Sequence, residues 1–111
     1  MNTRLEQLIE FLKDSPEDPF LHYAIAQEYH KHGDANLALE KYQYLIAQHP
    51  KYVATYYHLG ALLSKQGRKE NALETYSKGI LIAKEVGDSH TLSELQSAKL
   101  NLEIADDDDE D

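Results

Sequence analysis

The residues best equipped to do chemistry are six histidines, His22, His30, His32, His49, His58 and His90. Imidazole can ligate a metal or carry a proton near neutral pH. His30 and His32 flank Lys31, but residues two apart on a helix point away from each other and cannot readily share one ion. No histidine pair has the four-residue spacing of a helical zinc motif. Carboxylates offer little more: Glu28 and Glu40 fall in helical stretches without a recognisable partner. Ser64, Ser77, Ser89, Ser93 and Ser97 have no nucleophile context, and no Gly-rich phosphate loop is present. Cysteine is absent, which removes disulfides, thiolate nucleophiles and thiolate metal sites together. The expectation is a chain with no catalytic residues, no cofactor and no metal.

Charge narrows the partners. The formal net charge of the 111 residues is −9, and the last six, Asp106 to Asp111, are all acidic. Removing those six charges leaves the rest at −3, only mildly acidic. Eleven Lys and Arg against twenty Asp and Glu give no basic face to neutralise phosphates, so nucleic acid is not an expected partner. No apolar run approaches a membrane span. Glu6 and Glu10 interrupt the first residues where a secretory signal would need an apolar core. A cytoplasmic location, suited to a bacterial cytoplasm, is expected.

The elements that carry these side chains follow from an internal repeat. A shift of 34 residues superposes Tyr23 on Tyr57, Lys31 on Lys65, Gly33 on Gly67, Ala38 on Ala72, Leu39 on Leu73, Glu40 on Glu74, Tyr42 on Tyr76 and Ile46 on Ile80. His22 with Tyr56, Ile25 with Leu59, Ala26 with Gly60 and Tyr29 with Leu63 fill in the pattern. The matches cluster on apolar and small positions, as a shared packing scheme requires. Each unit reads as two helices. Asp18 is an expected N-cap with Pro19 at the first helical position, Gly33 and Gly67 break the chain, and Asp34 is expected to cap the next helix. Ala38, Leu39, Tyr42, Leu45 and Ile46 recur at three- and four-residue steps until Pro50 stops them. Small residues at Ala26, Gly60, Ala38 and Ala72 mark the closest helix crossings.

This pattern resembles the tetratricopeptide repeat. The small residue in each first helix (Ala26, Gly60), the Ala opening each second helix (Ala38, Ala72), the aromatic four later (Tyr42, Tyr76) and Pro50 carry the resemblance. The usual Trp slot holds His22 and Tyr56, and Lys84 replaces the closing Pro of the second unit, which predicts a helix extended to Val86. The resemblance implies an all-α fold, a short α-α superhelix of antiparallel helix pairs. A single domain over 1–105 is expected: a capping helix in 1–16, repeats at 19–52 and 53–86, and a second cap at 88–105. The first cap rests on Leu5, Leu8, Phe11, Leu12 and Pro16, which match Leu39, Tyr42, Leu45, Ile46 and Pro50. The second rests on a Thr91–Glu94 capping-box spacing and on Leu92, Leu95, Leu100 and Leu102, with Gln96, Ser97, Lys99 and Asn101 facing water. About six helices result, followed by a disordered acidic tail at 106–111.

The resemblance also implies a function. First helices of successive repeats line a concave groove, so Phe20, Tyr23, Gln27, His30 and Lys31 from one unit, and Ala54, Tyr57, Ala61, Ser64 and Lys65 from the next, are the candidate binding residues. His22 and His58 would lie on neighbouring helices, but two ligands alone make a weak metal site. Aromatic anchors with polar neighbours suit a protein or peptide ligand, because Tyr gives contact area with few rotors to freeze. The alternative for Tyr23 and Tyr57 is that they pack on each other or on the cap. Tyr23 and Gln27 occupy two places of the Lys, Asn and Arg clamp with which some relatives hold chaperone termini, so that ligand is not expected. Two functional readings remain: a peptide-binding adaptor, or a homo-oligomeric module joined through Phe11, Leu92 or Leu95. The acidic tail is a solubilising end or, alternatively, docks on another copy near Lys31, Lys51 and Lys65.

Overall fold

The computed structural model describes the backbone from Thr3 to Asp109 and side chains as far as Ala105. Within these residues there are six helices and no strands: α1 (Thr3–Asp14), α2 (Pro19–Lys31), α3 (Ala35–Gln48), α4 (Ala54–Lys65), α5 (Lys69–Val86) and α6 (Ser89–Asp109). Length suggested one domain, but the contacts divide the chain into two compact units, one ending at Tyr52 and the other starting at Val53.

In the first unit α2 packs against both α1 and α3. The Asp18 carboxylate accepts from the Phe20 backbone N–H at 2.9 Å, which satisfies one orphan donor at the start of α2. Leu5, Leu8 and Leu12 of α1 join Leu21, Ala24, Ile25 and Tyr29 of α2 in one apolar cluster. Phe11 departs from its expected inner position and is 60% exposed. At about 100° per residue it falls roughly a quarter-turn from the centre of the Leu5, Leu8 and Leu12 stripe. Glu28, for which the sequence showed no partner, is buried and faces Arg4 of α1 at 3.5 Å and His32 at 3.6 Å. An ion pair thus links α1 to α2.

The turns between paired helices repeat bond for bond. The Gly33 N–H donates to the His30 carbonyl at 3.1 Å and Asp34 N–H to Tyr29 at 2.9 Å. Gly67 and Arg68 do the same to Ser64 and Leu63, at 3.0 and 2.9 Å. Both glycines hold positive φ, +87° and +77°, which a side chain would strain. Asp34 makes no side-chain cap, contrary to expectation. Its backbone carbonyl starts the ladder by accepting from Ala38 N–H at 3.0 Å, as Arg68 does from Ala72 at 3.0 Å. The repeated turn therefore needs no capping side chain. Helix α3 stops at Gln48, because Pro50 disfavours the helical region for His49, which sits at φ −137°, ψ 62°.

In the second unit α5 packs on α4 and α6, and α4 also reaches α6. Gly60 of α4 lies against the Tyr76 ring so closely that a Cβ would collide with it. A Cβ at Gly79 of α5 would likewise collide with the Tyr56 Cβ and press tightly on Leu95. Gly79 stands where the first unit has buried Leu45, and the wholly buried Leu95 of α6 helps fill the space. The start of α6 also differs from expectation. The Asp88 carboxylate caps it, accepting from the Thr91 N–H at 3.0 Å and the Thr91 hydroxyl at 2.7 Å, while Glu94 pairs with His90 at 3.5 Å. No Gly or Pro interrupts residues 89–109, and α6 continues four residues past Ala105 into the run expected to be disordered. Glu110 and Asp111 lie outside the described residues, as do the side chains from Asp106 onward on which tail docking would depend.

A methyl group at Gly60 would displace the Tyr76 ring. Gly60→Ala is therefore expected to lower stability by about 1–3 kcal/mol through overpacking, despite the better helix propensity of Ala. A lower urea midpoint at unchanged slope would show it; an unchanged or higher midpoint would refute it.

Candidate functional site

The candidate residues of α2 form one stripe. Phe20, Tyr23, Gln27 and His30 follow three- and four-residue steps beside the buried row of Leu21, Ala24, Ile25 and Glu28. Phe20 is 51% exposed in the first turn, Lys31 is exposed at the last residue, and Tyr23, Gln27 and His30 are half-buried. The Tyr23 ring packs at 5.6 Å, tilted, on Tyr52 in the same unit, a partner that the sequence did not indicate. On α4 the half-buried Ala54, Tyr57, Ala61 and Ser64 form the corresponding stripe, which ends at exposed Lys65. The Tyr57 ring meets His58 edge-on at 5.3 Å.

Helix α6 adds residues that the sequence reading assigned to a solvent-facing cap. His90, Ser93, Glu94, Ser97 and Asn101 follow helical spacing along one side of α6. With Ala98 and Tyr57 they line a cleft of about 330 Å³. Its walls hold hydroxyls, a carboxamide, a carboxylate, an imidazole and a phenol ring. The signal was present as polar residues at three- and four-residue steps, but a polar stripe reads the same whether it faces a cleft or bulk water. Leu95, offered above as a self-association contact, is wholly buried within its own unit and cannot serve as one.

A second polar cluster lies in the first unit. His22 is buried, with its Nε2 at 2.8 Å from the Pro16 carbonyl and its Nδ1 at 3.1 Å from Lys41 Nζ. The Pro16 carbonyl can only accept and the Lys41 ammonium can only donate, so His22 is the neutral tautomer with its proton on Nε2. The Tyr44 ring lies 4.4 Å from the imidazole, and Lys41 Nζ is 5.9 Å from the Tyr44 centroid. Burial holds the His22 pKa below its ordinary value, and the charges of Lys41 and His49 add to this; the Pro16 hydrogen bond and Glu17 act in the opposite sense. Burial also lowers the Lys41 pKa. Tyr42 is fully buried with no partner for its hydroxyl among the described residues, and burial, then Tyr23, pushes that phenol upward. Among the described residues no group of three or more His, Asp or Glu could hold a metal ion, and no helix is long and apolar enough to cross a membrane.

No protein-family model matches the sequence, and no curated protein matches it. Solved structures do. A crystal structure of a tetratricopeptide repeat domain protein from Salinibacter ruber is 49% identical, with a TM-score of 0.75, over 78% of this chain and 96% of that one. A solution NMR structure of a tetratricopeptide repeat domain protein from the same organism is 50% identical, with a TM-score of 0.77, over 79% of this chain and 89% of that one. A protein from Bordetella parapertussis shares the fold at a TM-score of 0.81 with 24% identity, over 96% of this chain and 92% of that one.

The His22 environment sets a pH dependence. A histidine whose folded pKa is depressed binds fewer protons folded than unfolded, so its contribution is complete above about pH 6.5 and declines as pH falls toward the lower folded value. Wild type is expected to lose more stability between pH 7.5 and pH 5.5 than His22→Tyr, which copies the equivalent Tyr56. Urea melts of both proteins at the two pH values test this, and equal losses would rule out His22 as the source.

Proposed function

The chain belongs to the tetratricopeptide repeat family, and from that premise we propose that it is a non-catalytic adaptor, acting in the cytoplasm, that binds a protein or peptide on the first-helix stripe of each repeat. The repeat is a protein-interaction scaffold. The observation that carries the finer reading is the cleft formed by Tyr57 and the polar side of α6. A peptide backbone presents one donor and one acceptor per residue, which Ser93, Ser97 and Asn101 can match from a rigid helix, while Tyr57 supplies apolar area. On α2, Phe20 and Tyr23 are the aromatic contacts, with Gln27, His30 and Lys31 as polar ones; Ala61, Ser64 and Lys65 continue the α4 stripe. The acidic charge balance speaks against nucleic acid as the ligand.

A second reading, self-association through the end helices, is supported by exposed apolar side chains: Ile9 and Phe11 on α1, Leu100 and Ile104 on α6. These residues, and not Leu95, are the ones that such an interface would use.

The test is a pull-down from native lysate with wild type and with Tyr57→Ala, Ser97→Arg and Tyr23→Ala, each first shown to be helical by circular dichroism. A partner recovered with wild type is expected to be lost with Ser97→Arg and to bind Tyr57→Ala about 2 kcal/mol more weakly, the scale of an interface hot spot. A partner that binds all variants equally would remove the stripes from the site. Recovery of the chain's own copies alone, abolished by Phe11→Ser or Ile104→Ser, would favour the second reading.

A further inference from the structure

The cluster around Lys41 does not belong to the packing scheme of the repeat. His22, Lys41, Tyr44 and His49 correspond, 34 residues on, to Tyr56, Thr75, Lys78 and Ala83. One repeat thus folds with none of these side chains conserved in kind, so the fold does not require them. Lys41 is half-buried, and among the described residues its polar neighbours are an imidazole nitrogen at 3.1 Å and an aromatic face, with no carboxylate in an ion pair. An ammonium placed so is poorly compensated, which raises the share of the lysine present as neutral amine. The amine is also reachable. With His22, Tyr29, Leu37, Glu40 and Tyr44 it lines an open cleft of about 320 Å³.

We propose that Lys41 is an acyl-acceptor site, a lysine that captures small activated acyl groups with His22 as the proton acceptor beside it. The neutral Lys41 amine attacks the acyl carbon of an acyl phosphate or acyl thioester, and a C–N bond forms. The proton that the nitrogen sheds passes to His22 Nδ1, which the lysine already faces, while Nε2–H stays on the Pro16 carbonyl. The bond from the acyl carbon to the phosphate oxygen or thioester sulfur breaks, and the leaving group departs with its electron pair. His22 then returns its proton to solvent. The product is an amide, so Lys41 can no longer be protonated, and His22 is freed from the cation that Lys41 forms when it binds a proton. The proposal concerns α2 and α3 alone and stands apart from the adaptor reading.

The experiment incubates the full chain at pH 8 with acetyl phosphate or, separately, with S-phenyl thioacetate, and follows each lysine by peptide mass spectrometry. Lys13, exposed and paired with Glu10 at 2.9 Å, and exposed Lys65 serve as internal references. Lys41 is expected to be acetylated several-fold faster than either in the folded protein, and the advantage should vanish in urea. His22→Tyr is expected to slow Lys41 selectively while leaving Lys13 and Lys65 unchanged. An advantage with both donors supports the general site; an advantage with one assigns the donor class. A Lys41 rate at or below that of Lys13 with both donors overturns the proposal. A fast Lys41 that is indifferent to His22→Tyr, or that remains fast in urea, overturns the assigned chemistry.

Discussion

The structure depends on how closely two helices can approach when a side chain is missing. In the second unit the missing atoms are reciprocal: Gly60 of α4 accommodates the ring of Tyr76 from α5, and Gly79 of α5 accommodates Tyr56 from α4. The Tyr76 ring covers the α4 backbone at Gly60, and the Tyr56 Cβ and first ring carbon lie against Gly79, while the buried Leu59, Leu62 and Leu63 of α4 add aliphatic area. Burial of Tyr56 and Tyr76 follows, and it raises both phenol pKa values. Everything else in that unit is arranged around this contact. Leu95 reaches Gly79 from α6, and α6 in turn presents its polar side to Tyr57.

The first unit solves the same problem with different atoms. Ala26 replaces Gly60, His22 replaces Tyr56 and Leu45 replaces Gly79, so a small aromatic and a large aliphatic residue stand where the other unit pairs a large aromatic with glycine. The exchange brings a polar group into the packed region. That group must be satisfied, and Pro16 and Lys41 do so. A histidine in this place therefore ties together the α1–α2 connection and α3, and leaves a lysine with an imidazole where it would ordinarily meet a carboxylate. The departure from the repeat is thus the origin of a cluster that combines imidazole, amine and an aromatic face.

The sequence made the repeat legible because packing residues recur with it. The 34-residue matches located the four repeat helices, the two glycine turns and the apolar cores, since those positions answer to short-range geometry that every unit must satisfy. The candidate stripes on α2 and α4 came from the resemblance to the repeat family, and not from a spacing rule. Other features were not legible. The Arg4–Glu28 pair joins helices whose register no local rule specifies. Asp88 outranked the Thr91–Glu94 spacing as a cap because helix α6 starts at Ser89, ahead of Thr91. The acidic run looked like an end to structure, yet with no Gly or Pro to break it the backbone ladder carries on to Asp109.

By itself, then, the sequence determined an all-α chain of helix pairs and its family, because hydrophobic period and turn residues act locally and are written in order along the chain. Only the tertiary structure decided that Leu95 is sealed inside its unit while Phe11 is left outside. It also decided that Tyr57 faces the serines and Asn101 of α6, and that Lys41 sits on His22. These are contacts between residues far apart in the chain, set by which faces the helices turn to one another, and no spacing rule along a single helix encodes that choice.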